Sequence, residues 1–382
     1  MKKDVKIIFH IDLNAFFASC ATIKEPHLKD KVFVVGGNPM TRRGVISTAS
    51  YPARKLGIHS GMSINDAFRI YPKLIVVPVQ FSLYQKYSNL FFQFLKKYSS
   101  LVLEGSIDEA YVDMTEISKT KHPLDIAKEI QEGLLHEYGL PSSIGIASTL
   151  FLAKMASDMQ KPLGITVLRK KDIVNKLFPL PISDCFGIGK KTYPRLEQLG
   201  ILTIGDFTKK ENKERILSIM SEQSYLSYLE HILGHSSDII DPKRYAIPKS
   251  ISNETTLNYS MDSSDAIFKI IEEILEHTHE RLINEELVAK TVGIRLRDEN
   301  FETINRSYTF KEHTDVYEEF YDAVEMLFEE NYHGEALRLV GVFMGSVVQK
   351  KDLKIDYNLF TYQEFSKREE AIYHKEQKKR TS

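Results

Sequence analysis

Two acidic residues stand side by side at Asp108-Glu109, inside the run Ser106-Ile107-Asp108-Glu109-Ala110-Tyr111-Val112-Asp113. Adjacent carboxylates repel, so a pair held in a cleft needs protons or cations as neighbours. Magnesium suits such a pair, because it prefers carboxylate oxygen and keeps waters and substrate phosphates as its other ligands. In the middle of a strand, neighbouring side chains point to opposite faces. At a hairpin tip the backbone bends, and both acids can aim at one place. The apolar runs Leu101-Val102-Leu103 and Tyr111-Val112 flank Gly105-Ser106, which reads as such a hairpin. An acid pair at a tip is also ordinary solvated turn chemistry, so the surrounding elements must decide between the two.

Residues 5–13 alternate, with Ile7, Phe9, Ile11 and Leu13 on one face and Lys6, Ile8, His10 and Asp12 on the other. This is a half-buried strand that ends at Asp12 on its more polar side. Asn14 is placed to cap a helix carrying Phe16, Phe17 and Cys20, which stops near Glu25-Pro26. Residues 31–37 read as a strand into a turn. Residues 45–55 read as a strand of small residues feeding a short helix that begins near Pro52. Thr48, Tyr51, Arg54 and Lys55 cluster there, and cations at a helix start suit a phosphate. Further helices are expected at 63–71, 82–99, 124–138 and 149–159, the last capped by Thr149, with strands at 74–78 and 143–148. Strand 5–13, the hairpin 101–114 and strand 143–148 then form a β-α-β-β-α-β pattern interrupted by residues 18–79, a ferredoxin-like palm. In that sheet the strand bearing Asp12 can lie beside the hairpin. Asp12, Asp108 and Glu109 together can hold two divalent ions, which position an attacking oxygen, polarise a phosphate and stabilise a leaving oxygen.

The next stretch, 169–236, is helical with short loops. Cys185-Phe186-Gly187-Ile188-Gly189-Lys190-Lys191 precedes a helix with Leu196 and Leu199. Glycines between two helices expose backbone N–H groups to a nucleic-acid phosphate without reading bases. Residues 237–248 read as a linker. A second β-α-β-β-α-β unit follows, with strands near 249–257, 288–297, 303–311 and 337–349 and helices near 263–287 and 315–331. Its acids concentrate on the helices, while Lys290, Arg295, Arg297 and Arg306 lie on strands, a pattern expected to turn a basic sheet face to a phosphate backbone. Residues 351–382 are polar and lack core-forming periodicity after Phe365.

A chain of 382 residues, 42% hydrophobic and 27% charged, is a soluble globular composition too long for one core. No apolar run reaches membrane-span length, and Cys20 and Cys185 supply neither a disulfide framework nor a zinc site. A cytoplasmic protein with no membrane partner is expected. The net charge of −1 conceals an uneven distribution. Residues 1–100 hold 15 Lys and Arg against 5 Asp and Glu, and residues 241–350 hold 12 against 22. The basic first quarter sets a local field that the total hides.

These stretches share their order with a known family. His10-Ile11-Asp12-Leu13-Asn14-Ala15-Phe16-Phe17-Ala18-Ser19, the segments 45–58, 106–113 and 151–165, and the helix-hairpin-helix at 185–199 resemble the Y-family, lesion-bypass DNA polymerases of the polymerase IV (kappa-like) branch. The resemblance covers about 7–350. It implies an α+β, multi-domain right hand: a palm of 1–17 and 80–168, small fingers 18–79, a thumb 169–236, a linker 237–248, a little finger 249–350 and a flexible tail 351–382. It implies that Asp12, Asp108 and Glu109 are the catalytic metal-binding acids, with the Leu13 carbonyl as a further ligand, for two Mg²⁺ that Mn²⁺ can replace. Phe17 falls on the steric gate that excludes a ribose 2′-OH. Phe16, Thr48, Tyr51, Arg54 and Lys161 fall around the nucleotide, and Val45 and Ser47 on the floor beneath the nascent base pair. Gly187, Gly189, Lys190, Lys191, Lys290, Arg295, Arg297 and Arg306 fall on DNA-binding elements. The implied activity is distributive, low-fidelity addition of dNTPs to a primer on template DNA by a monomer without proofreading, in damage tolerance. Asn14 stands where the family often has Asp, at a position that is not a metal ligand. Asp356-Tyr357-Asn358-Leu359-Phe360 is similar to the family's clamp-binding peptide, with Asp356 in place of Gln and the Leu359-Phe360 anchor intact.

Two other functions suit parts of the pattern. A nucleotide cyclase can use a palm with metal acids, but needs neither the helix-hairpin-helix nor the second basic sheet. A catalytically dead DNA-binding scaffold would not need all three acids, which are intact.

Overall fold

The computed structural model describes residues 5–38, 40–244 and 247–353. Two compact units divide the chain, Met1–Arg244 and Tyr245–Ser382.

The first unit is built on five strands: β1 (Ile8–Leu13), β5 (Val102–Glu104), β6 (Glu109–Asp113), β7 (Ser142–Ala147) and β8 (Ile165–Leu168), in the order β5-β6-β1-β7-β8. β1 is central and antiparallel to both neighbours, with Asp12 opposite Glu109 on one side and Ser143 on the other. It is buried on both faces. Phe9, Ile11 and Leu13 pack with Phe91 and Leu95 of α4 (Phe81–Lys96) and with Ile130 and Leu134 of α5 (Pro123–Tyr138). Ile8 belongs to the core on the other face, with Phe151 and Leu152 of α6 (Leu150–Met159). The expected polar face is thus an interior one, because α6 covers it and seals His10 completely. Thr149 caps α6 by accepting from the Leu152 N–H, as expected. α6 lies hard against β7 at Gly145, where an added Cβ would stand 2.0 Å from the Ala153 carbonyl oxygen.

Asn14 does not cap the first helix, α1 (Phe16–Lys24). Ala15 occupies the cap position in a left-handed conformation, φ 46°. The Asn14 amide is buried instead, donating to Ser143 Oγ at 3.0 Å and accepting from the Leu163 N–H at 2.8 Å. It ties β1 to the turn that starts β8. That fifth strand, parallel to β7, was not expected from its four residues Ile-Thr-Val-Leu.

Between α1 and α4 lies a small sheet in the order β3-β2-β4, with β2 (Phe33–Gly36), β3 (Ile46–Ala49) and β4 (Ile75–Val77). Ala53 of α2 (Tyr51–Lys55) and Ile64 and Ala67 of α3 (Ile64–Ile70) pack on Val34 and Ile46. After β8 come the short helices α7 (Tyr193–Gln198), α8 (Ile204–Thr208), α9 (Lys213–Leu217) and α10 (Glu222–Ile232). Leu196, Ile204, Phe207, Ile216 and Tyr225 join the core that α6 began.

The second unit is an antiparallel sheet in the order β11-β10-β12-β9, from β9 (Ser250–Met261), β10 (Leu287–Asp298), β11 (Thr303–Thr314) and β12 (Leu337–Gly345), with β13 (Val348–Gln349) pairing the start of β10. α11 (Ser264–Asn284) and α12 (Tyr317–Asn331) place Ile271, Leu275, Phe320 and Val324 against Val292, Ile294, Val340 and Val342. Among the described residues, no helix is long and apolar enough to cross a membrane.

Candidate active site

The three acids converge at one end of the five-stranded sheet. Asp12 closes β1, Glu109 opens β6 directly across from it, and Asp108 occupies the hairpin tip. The Leu13 N–H donates to the Asp108 carbonyl at 2.9 Å, clamping the end of β1 to that tip. The Ser106 hydroxyl donates to Asp108 Oδ1 at 2.5 Å. Burial raises the Asp108 pKa, the Ser106 bond opposes this, and the charges of Asp12 and Glu109 add to the rise. Asp108 therefore carries the mutual repulsion that a cation would relieve.

Lysines now supply the positive charge. Lys154 Nζ donates to Glu109 Oε2 at 2.7 Å and to Asp12 Oδ2 at 3.3 Å. Lys161 Nζ lies 2.8 Å from Asp12 Oδ2 and 2.7 Å from Asp158 Oδ1. Burial works to raise the Glu109 pKa, but bonds and charge from His10 and Lys154 outweigh it and hold the carboxyl at about 2. His10 stands with Nε2 3.4 Å from Glu109 Oε2 and Nδ1 2.8 Å from Ser157 Oγ. Among the described residues, no three His, Cys, Asp or Glu side chains are gathered as a ready cation cage. The donor set still fits a hard divalent ion: three carboxylates on one sheet end, two of them occupied by ammonium groups where positive charge is required.

Tyr51 and Lys161 lie close to Asp12. Phe16 is buried in the core, while Phe17 is half-buried and stacks on Tyr84, ring centroids 4.1 Å apart and planes 11° off parallel. α2 begins near Pro52 as expected: Ser50 caps it, its hydroxyl accepting from the Ala53 N–H, and Tyr51 is the first helical residue. The Tyr51 hydroxyl is buried and has no hydrogen-bond partner among the described residues, and burial raises its pKa against the nearby charges of Arg54 and Lys161. Arg54 lies over the Tyr51 ring at 5.0 Å and donates from Nε to the Ala49 carbonyl. An orphaned hydroxyl beside two cations is a site for an anionic oxygen. Thr48 is half-buried on β3, and Val45 and Ser47 are exposed beside it. Cys20 and Cys185 are no candidates for nucleophiles, since burial pushes both thiols up to about 12.

The family described as impB/mucB/samB matches residues 11–158, and its C-terminal domain matches residues 248–357. The chain belongs to the impB/mucB/samB family. It is 37% identical to "DNA polymerase IV 1" of Bacillus subtilis over 95% of this chain and 87% of the relative. It is 36% identical to DNA polymerase IV of Oceanobacillus iheyensis over 95% of this chain and 86% of the relative. Among solved structures, a Y-family DNA polymerase chimera of Dbh and Dpo4 superposes with a TM-score of 0.80 at 25% identity, covering 90% of this chain and 99% of that one. DinB from Sulfolobus solfataricus superposes at 0.62 with 26% identity, over 90% of this chain and 99% of that one. The fold is that of Y-family polymerases, a mixed α and β right hand, and the chain is a DNA-directed DNA polymerase of the DinB-like kind.

Elsewhere in this impB/mucB/samB chain, the expected DNA-contacting residues divide. Gly187 takes φ +91° and its carbonyl accepts from the Tyr228 hydroxyl at 2.9 Å. Gly189 faces open space, and Lys190 and Lys191 are exposed. The segment before this loop is a single 3₁₀ turn, Ile182–Asp184, in place of a full first helix. In the second unit, Arg295 and Arg297 share the sheet face away from the helices, but Arg295 is bonded to Glu254 at 2.7 Å. Arg306 is directly opposite the buried Ile294, and cross-strand partners point to the same face. It therefore lies on the helix side, bonded to Asn331 at 2.9 Å, and not on the basic sheet face expected for the strand cations. Lys290 falls in the irregularity between Ala289 and Thr291. Leu359 and Phe360 lie outside the described residues.

Sequence reasoning passed over Lys154, Asp158, His10, Ser157 and Tyr84. Lys154 left a signal: a charge inside Phe151-Leu152-Ala153-Lys154-Met155, on a helix too apolar to leave it unpaired.

Proposed function

We propose that this polymerase performs template-directed addition of dNTPs to a primer 3′-OH at the Asp12–Asp108–Glu109 centre, in the translesion manner of its family. The observation that carries the reading is the β1–β6 register, which seats Asp12 opposite Glu109 with Asp108 on the adjoining tip. Asp12, Asp108, Glu109 and the Leu13 carbonyl would hold two Mg²⁺, replaceable by Mn²⁺, whose charge would favour ionisation of a primer hydroxyl and offset negative charge on the triphosphate. Lys161, Arg54, Tyr51 and Thr48 bind and orient the triphosphate, and the orphaned Tyr51 hydroxyl gains its missing partner from a phosphate oxygen. Phe17, braced by Tyr84, meets the sugar where a 2′-OH would project. Phe16 holds the gate's helix to the core. Val45 and Ser47 present little bulk beneath the templating base pair, which suits a site that tolerates damaged bases.

The structural elements carry these roles as palm (1–17 and 80–168), fingers (18–79), thumb (169–236), linker (237–248) and little finger (249–350). Gly187, Gly189, Lys190 and Lys191 grip backbone phosphates through N–H groups and charge, and Arg295 and Arg297 contribute from the exposed sheet face. A monomer in the cytoplasm, reaching a sliding clamp through Leu359 and Phe360, completes the reading; a clamp pull-down that retains a Leu359→Ala/Phe360→Ala variant as well as wild type would remove that last part. The central test is primer extension with Mg²⁺ and dNTPs. Wild type should extend the primer, Asp108→Ala should lose at least a thousandfold in rate, and a wild type that adds no nucleotide refutes the polymerase reading. Accumulation of a cyclic nucleotide instead would favour a cyclase.

A further inference from the structure

The acids at the site carry two ammonium groups, and only one of them, Lys161, has a role in holding the nucleotide. Lys154 is left over. It sits on α6 with its side chain only 10% exposed, a depth at which an ammonium persists only if paired. Its nitrogen bridges Glu109 Oε2 and Asp12 Oδ2, the oxygens a divalent ion needs. One turn further along the helix, Asp158 Oδ2 stands 3.7 Å from the same nitrogen. Asp158 is 42% exposed, and Lys161 touches it as well, at 2.7 Å. The Phe186 ring lies 6.0 Å from Lys154 Nζ on another side.

We propose that Lys154 is an internal counter-ion that competes with the divalent cation for Asp12 and Glu109, and that Asp158 is the carboxylate that receives it when the cation binds. An ammonium and a divalent ion cannot share the same two oxygens, since like charges at that separation repel strongly in a partly buried site. A small shift of the lysine tip exchanges Glu109 for Asp158 without exposing the charge to an apolar wall. Lys161 makes the parallel exchange from Asp12 to phosphate oxygen. Cation affinity is thereby held down by a device outside the ligand set, and Lys154 acts as a positioning residue for the acids. The inference rests on the reading of the three acids as metal ligands.

Mn²⁺ titration of the full chain, followed by the electron paramagnetic resonance signal of the free ion, tests it without turnover. Lys154→Met, which keeps length and loses charge, should bind Mn²⁺ about tenfold tighter than wild type, while Lys154→Arg should stay within about twofold. Asp158→Asn should bind several-fold more weakly, and that loss should shrink in the Lys154→Met background, where no lysine needs a new partner. Equal or weaker binding by Lys154→Met overturns the proposal, as does an undiminished Asp158→Asn effect in the double variant. If circular dichroism shows Lys154→Met unfolded, Asp158→Asn alone decides, and unchanged affinity overturns the proposal. Asp108→Ala separates the two levels: if it binds Mn²⁺ as well as wild type, the acids are not the ligands and the underlying reading falls.

Discussion

Gly145→Ala inserts one methyl where α6 meets β7. The new Cβ would stand 2.0 Å from the Ala153 carbonyl oxygen, 2.4 Å from the Ser157 nitrogen and 2.9 Å from the Ala156 Cβ. Ordinary carbon contacts begin near 3.4 Å. Two of the three obstructing atoms are backbone, so no side chain can rotate away, and α6 must withdraw by roughly 1 Å. Overpacking of this kind costs about 1–3 kcal/mol, and the backbone clash puts the change at about 3 kcal/mol. For a unit of some 240 residues each kcal/mol shifts Tm by about 2–4 °C, so a drop of about 6–12 °C is expected. The same withdrawal moves Lys154 and Ser157, which contact Glu109, Asp12 and His10. A displacement of about 1 Å at reacting groups can cost on the order of a hundredfold in rate. Thermal melting by far-ultraviolet circular dichroism and kcat/KM for single-nucleotide insertion read both effects. A variant that melts within about 1 °C of wild type and keeps kcat/KM within about threefold refutes the claim that this close approach positions the site.

Phe17→Ala should lower discrimination between dNTP and rNTP by about a hundredfold or more, measured as the ratio of kcat/KM values; unchanged discrimination removes the gate assignment. Asp206 is held at about 2, chiefly by its bond from Lys209, with burial opposing and Thr203 assisting. Its folded pKa lies below the unfolded value of about 3.9, so its stabilisation is present above pH 4 and is lost as pH falls toward 2. Asp206→Asn should therefore cost about 1 kcal/mol at pH 7 in urea unfolding, with the gap to wild type narrowing below about pH 4 and closing as pH falls through about 2; a gap as large near pH 1 as at pH 7 counts against it. Arg297→Ala should reduce the slope of log K against log salt for duplex DNA by about one. Arg306→Ala, on the helix side, should leave that slope unchanged, and the opposite ranking would reverse the assignment of the DNA-facing surface.

What the sequence makes legible here is what has a period or a fixed local offset. Asp108-Glu109 between two apolar runs marks the hairpin, and alternation before Asp12 marks the strand that pairs with it. Asn14 misleads because its local environment offers a helix cap, whereas a buried partner 129 residues away, Ser143, competes for the amide and wins. β8 is too short to show alternation and is defined by pairing with β7. Arg306 lies on a strand as expected, but only the register with β10 tells which face it takes. Lys154 is the residue whose meaning is hardest to read locally: its three carboxylate partners come from β1, β6 and its own helix.

The central position of β1 has a consequence for how the protein is made. Ile8 pairs with Asp113 on one edge and with Ala147 on the other. On the ribosome, β1 therefore emerges ahead of both partners and stays without either neighbour until about a hundred further residues have followed. At about 5–20 residues per second this leaves a largely apolar strand with two open edges for about 5–20 seconds. β7, the later partner, also carries Gly145 and the approach to α6. Synthesis halted before it would release a chain whose N-terminal strand has one edge still open, a template for pairing with another chain. β1 is thus translated well before both of its edges are satisfied, and the nascent chain should depend on chaperone protection until residue 147 has cleared the exit tunnel.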